Sequence, residues 1–164
     1  MFSGSLRWCL DRTLDLYGRS RKVVADTWAF LASGRTTYDL SAYGPTGFLR
    51  AFKGSFSGGA AANVEVGCRY DRDEWGLTLV VVNHGSARCR VSITDVYSGR
   101  SMVQLIAPGA SSQDYRSLRS SFGWYDLLVQ VASDSSFMRH LAGHVENGED
   151  SVSDPAIGSA GGSS

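Results

Sequence analysis

The sequence predicts an all-β protein: an Ig-like antiparallel β-sandwich, with an incomplete second β unit and a short N-terminal helix. Three observations predict this. From residue 63 onward, apolar and polar residues alternate with period two in short runs. Gly, Asn, Asp and Ser clusters break those runs every 8–12 residues or so, the spacing of a sandwich. A Tyr-Asp-Leu motif is written twice, at Tyr38 and Tyr125, each time followed by Phe-x-Arg-x-(Phe or Leu)-x-Gly. Repetition of that length in a 164-residue chain means two copies of one small β unit.

The elements follow in chain order. In residues 1–21, Leu6, Cys9, Leu10, Thr13, Leu14 and Tyr17 recur at helical spacing, which predicts a short amphipathic helix. The same segment carries charges every few residues and no apolar core, so it does not read as a secretory signal. The chain is therefore expected either to stay inside the cell or to be a piece of something longer. Residues 22–56 hold a partial first β unit of about three strands, ending in "YDLSAYGPTGFLRAFKG". Residues 57–62, "SGGAAA", read as a linker rather than a phosphate-binding loop.

Residues 63–146 hold a complete unit of seven strands. "NVEVGCRY" alternates Val64, Val66, Cys68 and Tyr70 inward. "LTLVVVN" places Leu77, Leu79 and Val81 on one face, and "CRVSITDVY" does the same with Cys89, Val91 and Ile93. "SMVQLI", "QDYRSL", "GWYDLLVQVA" and "FMRHLAGHVE" complete the set, with Tyr125, Leu127, Val129 and Val131 sharing the inward parity. Residues 147–164 form a Gly/Ser-rich tail, expected to be disordered at its end.

Composition narrows the function. Apolar residues make up 43% and charged residues 20%, ordinary for a globular protein. The formal net charge is zero, which argues against nucleic acid, whose phosphates call for a basic surface. Residues 1–54 carry eight basic side chains against four acidic, and residues 145–164 carry four acidic and no basic, reading as two solvated ends. The cysteines Cys9, Cys68 and Cys89 are odd in number and lack metal-ligand spacing, so no cofactor or metal is expected. Cys68 and Cys89 read as buried thiols, bridged only if their Cα atoms come within about 7 Å.

The remaining polar candidates are few. His140 and His144 share a strand face, but positions four apart lie about 13 Å from one another, too far to hold one metal. His84, in a turn, reads as solvated. No nucleophile elbow, Walker loop or paired-carboxylate motif appears, so no catalytic residue is assigned. Arg50 and Arg139 each share parity with a phenylalanine two positions back, Phe48 and Phe137, and this predicts stacking or pairing with a nearby acid, Asp39 or Asp126.

The repeated motif also carries a resemblance. Tyr38, Asp39, Gly44, Pro45, Gly47, Phe48, Arg50 and Gly54 resemble the Tyr-Asp-Leu … Gly-Pro-Asn-Gly-Phe-x-Arg-x-Phe-x-Gly hairpin of bacterial phosphocholine-specific phospholipases C. Tyr125, Asp126, Phe137, Arg139 and Gly143, with the closing segment Ser153 to Ala156, resemble the extreme C-terminus of that family. The resemblance covers residues 22–158. Thr46 stands where the family usually has Asn.

In that family two copies of a small β domain follow a large catalytic domain, similar to alkaline and acid phosphatases, that supplies metal and nucleophile. The resemblance therefore implies a non-catalytic C-terminal accessory domain. Its parent would hydrolyse phosphatidylcholine or sphingomyelin and be secreted or periplasmic. The implied partners are the parent's catalytic domain and a phospholipid surface. The alternative is a stand-alone β-sandwich binding or adhesion module. Three strands cannot close a sandwich, and an open sheet edge invites pairing. The first unit is therefore expected to dock on the second, with recruitment of the N-terminal helix as a cover or self-association as the other outcomes.

Overall fold

The computed structural model describes residues 36–56, 62–148 and 150–158. The helix expected before residue 18, the first of the three strands expected in the leading unit, and the extreme C-terminus lie outside the described residues.

Among the described residues nine strands run antiparallel: β1 (Thr37–Tyr43), β2 (Leu49–Ser55), β3 (Val64–Asp71), β4 (Gly76–Asn83), β5 (Cys89–Asp95), β6 (Ser101–Ile106), β7 (Ser111–Ser117), β8 (Trp124–Val131) and β9 (Asp134–His144). A short helix, α1 (Pro155–Gly158), follows. One sheet has the order β1-β2-β9-β8-β5-β6 and the other β3-β4-β7. The seven strands from β3 onward thus divide four and three, as in an immunoglobulin-like sandwich. Their fourth strand, β6, joins the sheet of β5, β8 and β9, unlike the constant-type arrangement.

The core follows the period-two patterning. Leu77, Leu79 and Val81 from β4 meet Val91 and Ile93 from β5 and Tyr125, Leu127, Val129 and Val131 from β8, all fully or nearly buried. Cys68 and Cys89 also point inward and are not bonded to one another. One polar side chain is buried at the β4 end. Asn83 Nδ2 donates to the carbonyls of Ala87 and Ile106, at 2.8 and 3.1 Å, and its Oδ1 accepts from Gly85 N–H at 2.9 Å. This one amide ties the loop after β4 to the end of β6, and none of its groups is left unsatisfied.

The leading hairpin does not stand apart. β2 pairs with β9 over five residue pairs, from Leu49↔Ala142 to Lys53↔Met138, so the two repeated motifs lie side by side in one six-stranded sheet.

Candidate functional site

The β2–β9 pairing has an internal symmetry. Within the motif each residue of β2 has its counterpart 89 positions later: Arg50 and Arg139, Phe52 and Leu141, Gly54 and Gly143. Leu49 pairs with Ala142 while Met138 pairs with Lys53, and Arg50 pairs with Leu141 while Arg139 pairs with Phe52. Each pair maps onto another when the copies are exchanged. Ala51↔His140 maps onto itself, so a local two-fold axis passes through that pair.

The side chains obey the same symmetry. Arg50 Nη1 donates to its own neighbour Leu49 O at 2.7 Å and, across the seam, to Ala142 O at 3.0 Å. Arg139 Nη1 donates to Met138 O at 2.9 Å and across the seam to Lys53 O at 2.8 Å. Arg50 Nη2 then donates to the hydroxyl of Tyr125 at 2.9 Å, and Arg139 Nη2 to the hydroxyl of Tyr38 at 2.7 Å. The arginine of each copy serves the tyrosine of the other. Each guanidinium also lies over the phenylalanine two residues back, Arg50 at 4.4 Å from the Phe48 ring and Arg139 at 4.1 Å from Phe137.

The closing glycines make this geometry available. Tyr38 pairs with Gly54 and Tyr125 with Gly143, so each ring lies across a residue without a side chain. A Cβ on Gly143 would sit 2.8 Å from the Tyr125 hydroxyl, and one on Gly54 would collide with the Tyr38 hydroxyl. The hairpin glycines act at the turn. Gly44 N–H donates to Phe48 O at 2.9 Å. Gly47 takes a left-handed φ of 68°, and a Cβ there would fall 2.8 Å from the Trp124 ring. Pro45 accepts from Phe48 N–H at 3.1 Å.

Of the two alternatives for the arginines, stacking forms and pairing with Asp39 or Asp126 does not. Asp39 binds Lys53 at 2.8 Å, and Asp126 binds His140 at 2.5 Å. The two aspartates lie on the opposite sheet face from the arginines, one residue out of parity with Tyr38 and Tyr125. Among the described residues Arg50 has phenols, carbonyls and rings as partners instead.

The two ends of the seam are not equal. Arg50 and Tyr125 are each 3% exposed, and a second phenol, Tyr70 from β3, also bonds Arg50 and lies 2.6 Å from the Tyr125 hydroxyl. Burial chiefly pushes the Tyr70 and Tyr125 phenols above the ordinary range. Burial alone would disfavour the charge on Arg50, but the oxygens of Tyr125 and Tyr70 oppose that and hold its pKa above the ordinary arginine value. Arg50 Nε is buried with no partner. Tyr38, by contrast, is half-buried and has no second tyrosine beside it among the described residues.

His144 belongs to a different cluster, at the end of β9. His144 Nε2 lies 2.7 Å from both Ser151 Oγ and Phe122 O, and its Nδ1 lies 3.0 Å from Glu146. The order Ser, His, Glu is that of an activated hydroxyl. The Phe122 carbonyl can only accept, however, so the hydrogen-bond network places a hydrogen on Nε2. No lone pair is left there to take the Ser151 proton. The contact fastens the tail instead, together with Trp124 Nε1 donating to Val152 O at 2.9 Å and Tyr97 hydroxyl to Asp154 at 3.0 Å. Asp154 also accepts from Ala156 N–H at 2.8 Å, so the Ser-Asp-Pro-Ala segment docks and caps α1. His84 is exposed and bonds Glu65 at 3.0 Å. Among the described residues no three His, Cys, Asp or Glu side chains converge to hold a metal.

The family described as "Bacterial phospholipase C, C-terminal domain" matches residues 11–55 and 64–144. The match begins inside the segment read from its spacing as a separate helix, earlier than residue 22 where the resemblance was placed. A non-hemolytic phospholipase C of Burkholderia pseudomallei is 41% identical over 144 residues, covering 86% of this chain and 20% of that protein. From Pseudomonas aeruginosa, a non-hemolytic phospholipase C is 33% identical over 145 residues, covering 85% and 21%, and a hemolytic phospholipase C is 37% identical over 132 residues, covering 77% and 18%. The chain thus spans about a fifth of the length of these relatives. It belongs to the bacterial phospholipase C C-terminal domain family.

Proposed function

We propose that this chain serves a phospholipase C as a non-catalytic accessory domain, holding the catalytic domain against a phospholipid surface and stabilising it. The parent's substrates are phosphatidylcholine and sphingomyelin. In this reading residues 22–56 are a partial repeat, 57–62 a linker and 63–146 the complete repeat. Tyr38, Asp39, Gly44, Pro45, Gly47, Phe48, Arg50 and Gly54, with Tyr125, Asp126, Phe137, Arg139 and Gly143, are architectural residues.

One observation carries the reading: both motif arginines, the most chemically capable residues of the repeat, are committed to bonds between the two units. A guanidinium buried to this degree, whose Nη atoms already face carbonyls and phenols, is not open to a substrate phosphate.

The test is a hydrolysis assay of the purified chain on phosphatidylcholine, sphingomyelin and a chromogenic phosphocholine ester, with and without divalent metal. No turnover is expected. Metal-dependent turnover that persists through repurification and is lost on heat unfolding would refute the reading.

A further inference from the structure

We infer that one end of the six-stranded sheet is the surface that meets a zwitterionic lipid bilayer. The inference rests on the accessory role proposed above and names the residues that would perform it.

The β1–β2 turn, the β5–β6 turn, the start of β8 and the end of β9 all lie at the same end of this sheet, because its neighbouring strands are antiparallel. Four large apolar side chains are exposed there: Tyr43 at 79%, Phe122 at 49%, Val96 at 47% and Val152 at 46%. Trp124 lies among them, half-buried, with Gly47 against its ring face and its Nε1 donating to Val152 O. The four come from separate places in the chain: Tyr43 from the end of β1, Val96 from the β5–β6 turn, Phe122 from the approach to β8 and Val152 from the tail.

The backbone adds an independent observation. Phe122 holds φ at 52°, a left-handed conformation that is unfavourable for a bulky residue. A 3-10 turn at Arg119–Ser121 leads into it, and its carbonyl is clamped by His144 and Ser151. The chain thus holds an aromatic ring outward on a strained residue that Asn or Gly would occupy without cost. Strain of this kind marks sites where position matters more than stability.

Charge chooses the occupant. Four acids around this end are bonded within the protein: Asp126 to His140, Glu146 to His144, Asp154 to Tyr97, and Asp95 to the Ser98 N–H. Of the exposed charges, Arg119 is paired with Glu74, and Arg100 of the β5–β6 turn is offset in sign by Asp150 of the tail, so no basic excess draws an anionic membrane here. A neutral rim of Tyr, Phe, Trp and Val suits the headgroup boundary of an uncharged bilayer, where amphipathic rings settle. These four exposed side chains are few for a stable protein contact of standard size, which takes about 20–30 residues a side.

The experiment is co-sedimentation of the full chain with phosphatidylcholine vesicles, and in a second arm with phosphatidylcholine vesicles containing phosphatidylglycerol, at low and high salt. The variants are Tyr43→Ser with Phe122→Asn, and, as a control on the exposed outer face of β6, Val103→Ser with Leu105→Ser. Phe122→Asn relieves the left-handed strain, so this pair should fold at least as well as the parent, as its urea midpoint will show.

Binding of the wild-type chain that salt does not reverse is expected, with at least tenfold weaker binding for the Tyr43/Phe122 pair and no change for the β6 pair. Wild-type binding that the Tyr43/Phe122 pair retains would overturn the assignment of this end and leave the lipid role standing. Failure of the folded wild-type chain to bind vesicles at all would overturn both. Binding only to vesicles containing anionic lipid, and released by salt, would overturn the zwitterionic assignment.

Discussion

Replacing Arg50 with Met keeps most of the side-chain volume and removes the guanidinium from its cage. The structure sets the magnitude. Two carbonyls, Leu49 O and Ala142 O, and two phenols, Tyr70 and Tyr125, lose a charged donor. Bonds to a charged group contribute roughly 1.5–3 kcal/mol each. They do not sum, because removing the buried cation also recovers its desolvation cost. The two phenols can still bond one another. The net loss should be about 2–4 kcal/mol.

Tyr125→Phe should cost about 1.5–3 kcal/mol, and the half-buried Tyr38→Phe only about 0.5–1.5, since water can replace its partner. Urea unfolding followed by circular dichroism measures all of these as shifts in midpoint at constant slope. The crossed pattern is tested by double-mutant cycles. Arg50 with Tyr125 should couple by about 1–2 kcal/mol, while Arg50 with Tyr38, its own hairpin's tyrosine, should couple by nearly nothing. If Arg50 couples to Tyr38 as strongly as to Tyr125, or if Tyr38→Phe costs more than Tyr125→Phe, the account of the seam is wrong.

Three further outcomes are expected. Leu127→Ala, in the centre of the core at 1% exposure, should lose about 2–5 kcal/mol on urea unfolding, and a loss under about 0.5 would contradict its placement. Thr46, a β-branched residue at a φ of 53°, is strained, so Thr46→Asn should raise stability by up to about 1 kcal/mol, and a lower melting temperature would contradict the strain argument.

The third outcome concerns acid. Burial would raise the Asp134 pKa, but bonds from Ser136 and from the Ala62 and Ser136 N–H groups outweigh it and hold the carboxyl below its ordinary value. Its contribution is therefore full above the unfolded pKa of about 3.9 and lost as pH falls through the lower folded value. Asp134→Asn should flatten the fall in melting temperature below about pH 4, and an unchanged acid limb would count against this assignment.

The sequence was informative where local chemistry decides. The strands β3 to β9 and their inward residues, Leu77 to Val81 and Tyr125 to Val131 among them, follow from alternation alone, because burying one face leaves little choice of register. The stacking of Arg50 on Phe48 was legible for the same reason, since parity fixes what shares a face. The crossed arginine–tyrosine bonds were not. They join residues 75 and 101 positions apart, and no pattern in one strand reports its partner in another. Parity could have excluded Asp39 and Asp126, which follow Tyr38 and Tyr125 by one position and so must face away. Asn83 read as part of a turn. Its place at the end of an apolar strand, next to His-Gly, was the available hint of a buried side chain folding back on its own loop. The hold of His144, Trp124 and Tyr97 on the tail was invisible, because those contacts depend on a segment with no periodicity.

The local two-fold seam bears on how the two copies could drift apart. After a duplication each copy is normally free to lose what the other retains. Here an arginine lost from the first copy strands a tyrosine in the second, and the reverse holds as well. Neither motif can decay by itself without exposing a defect in its sibling. That mutual dependence accounts for a chain whose two halves differ in length and in most of their residues yet keep Tyr-Asp-Leu and Phe-x-Arg in both. The hairpins function as a matched pair, so a substitution in one is best judged by what it does to the other.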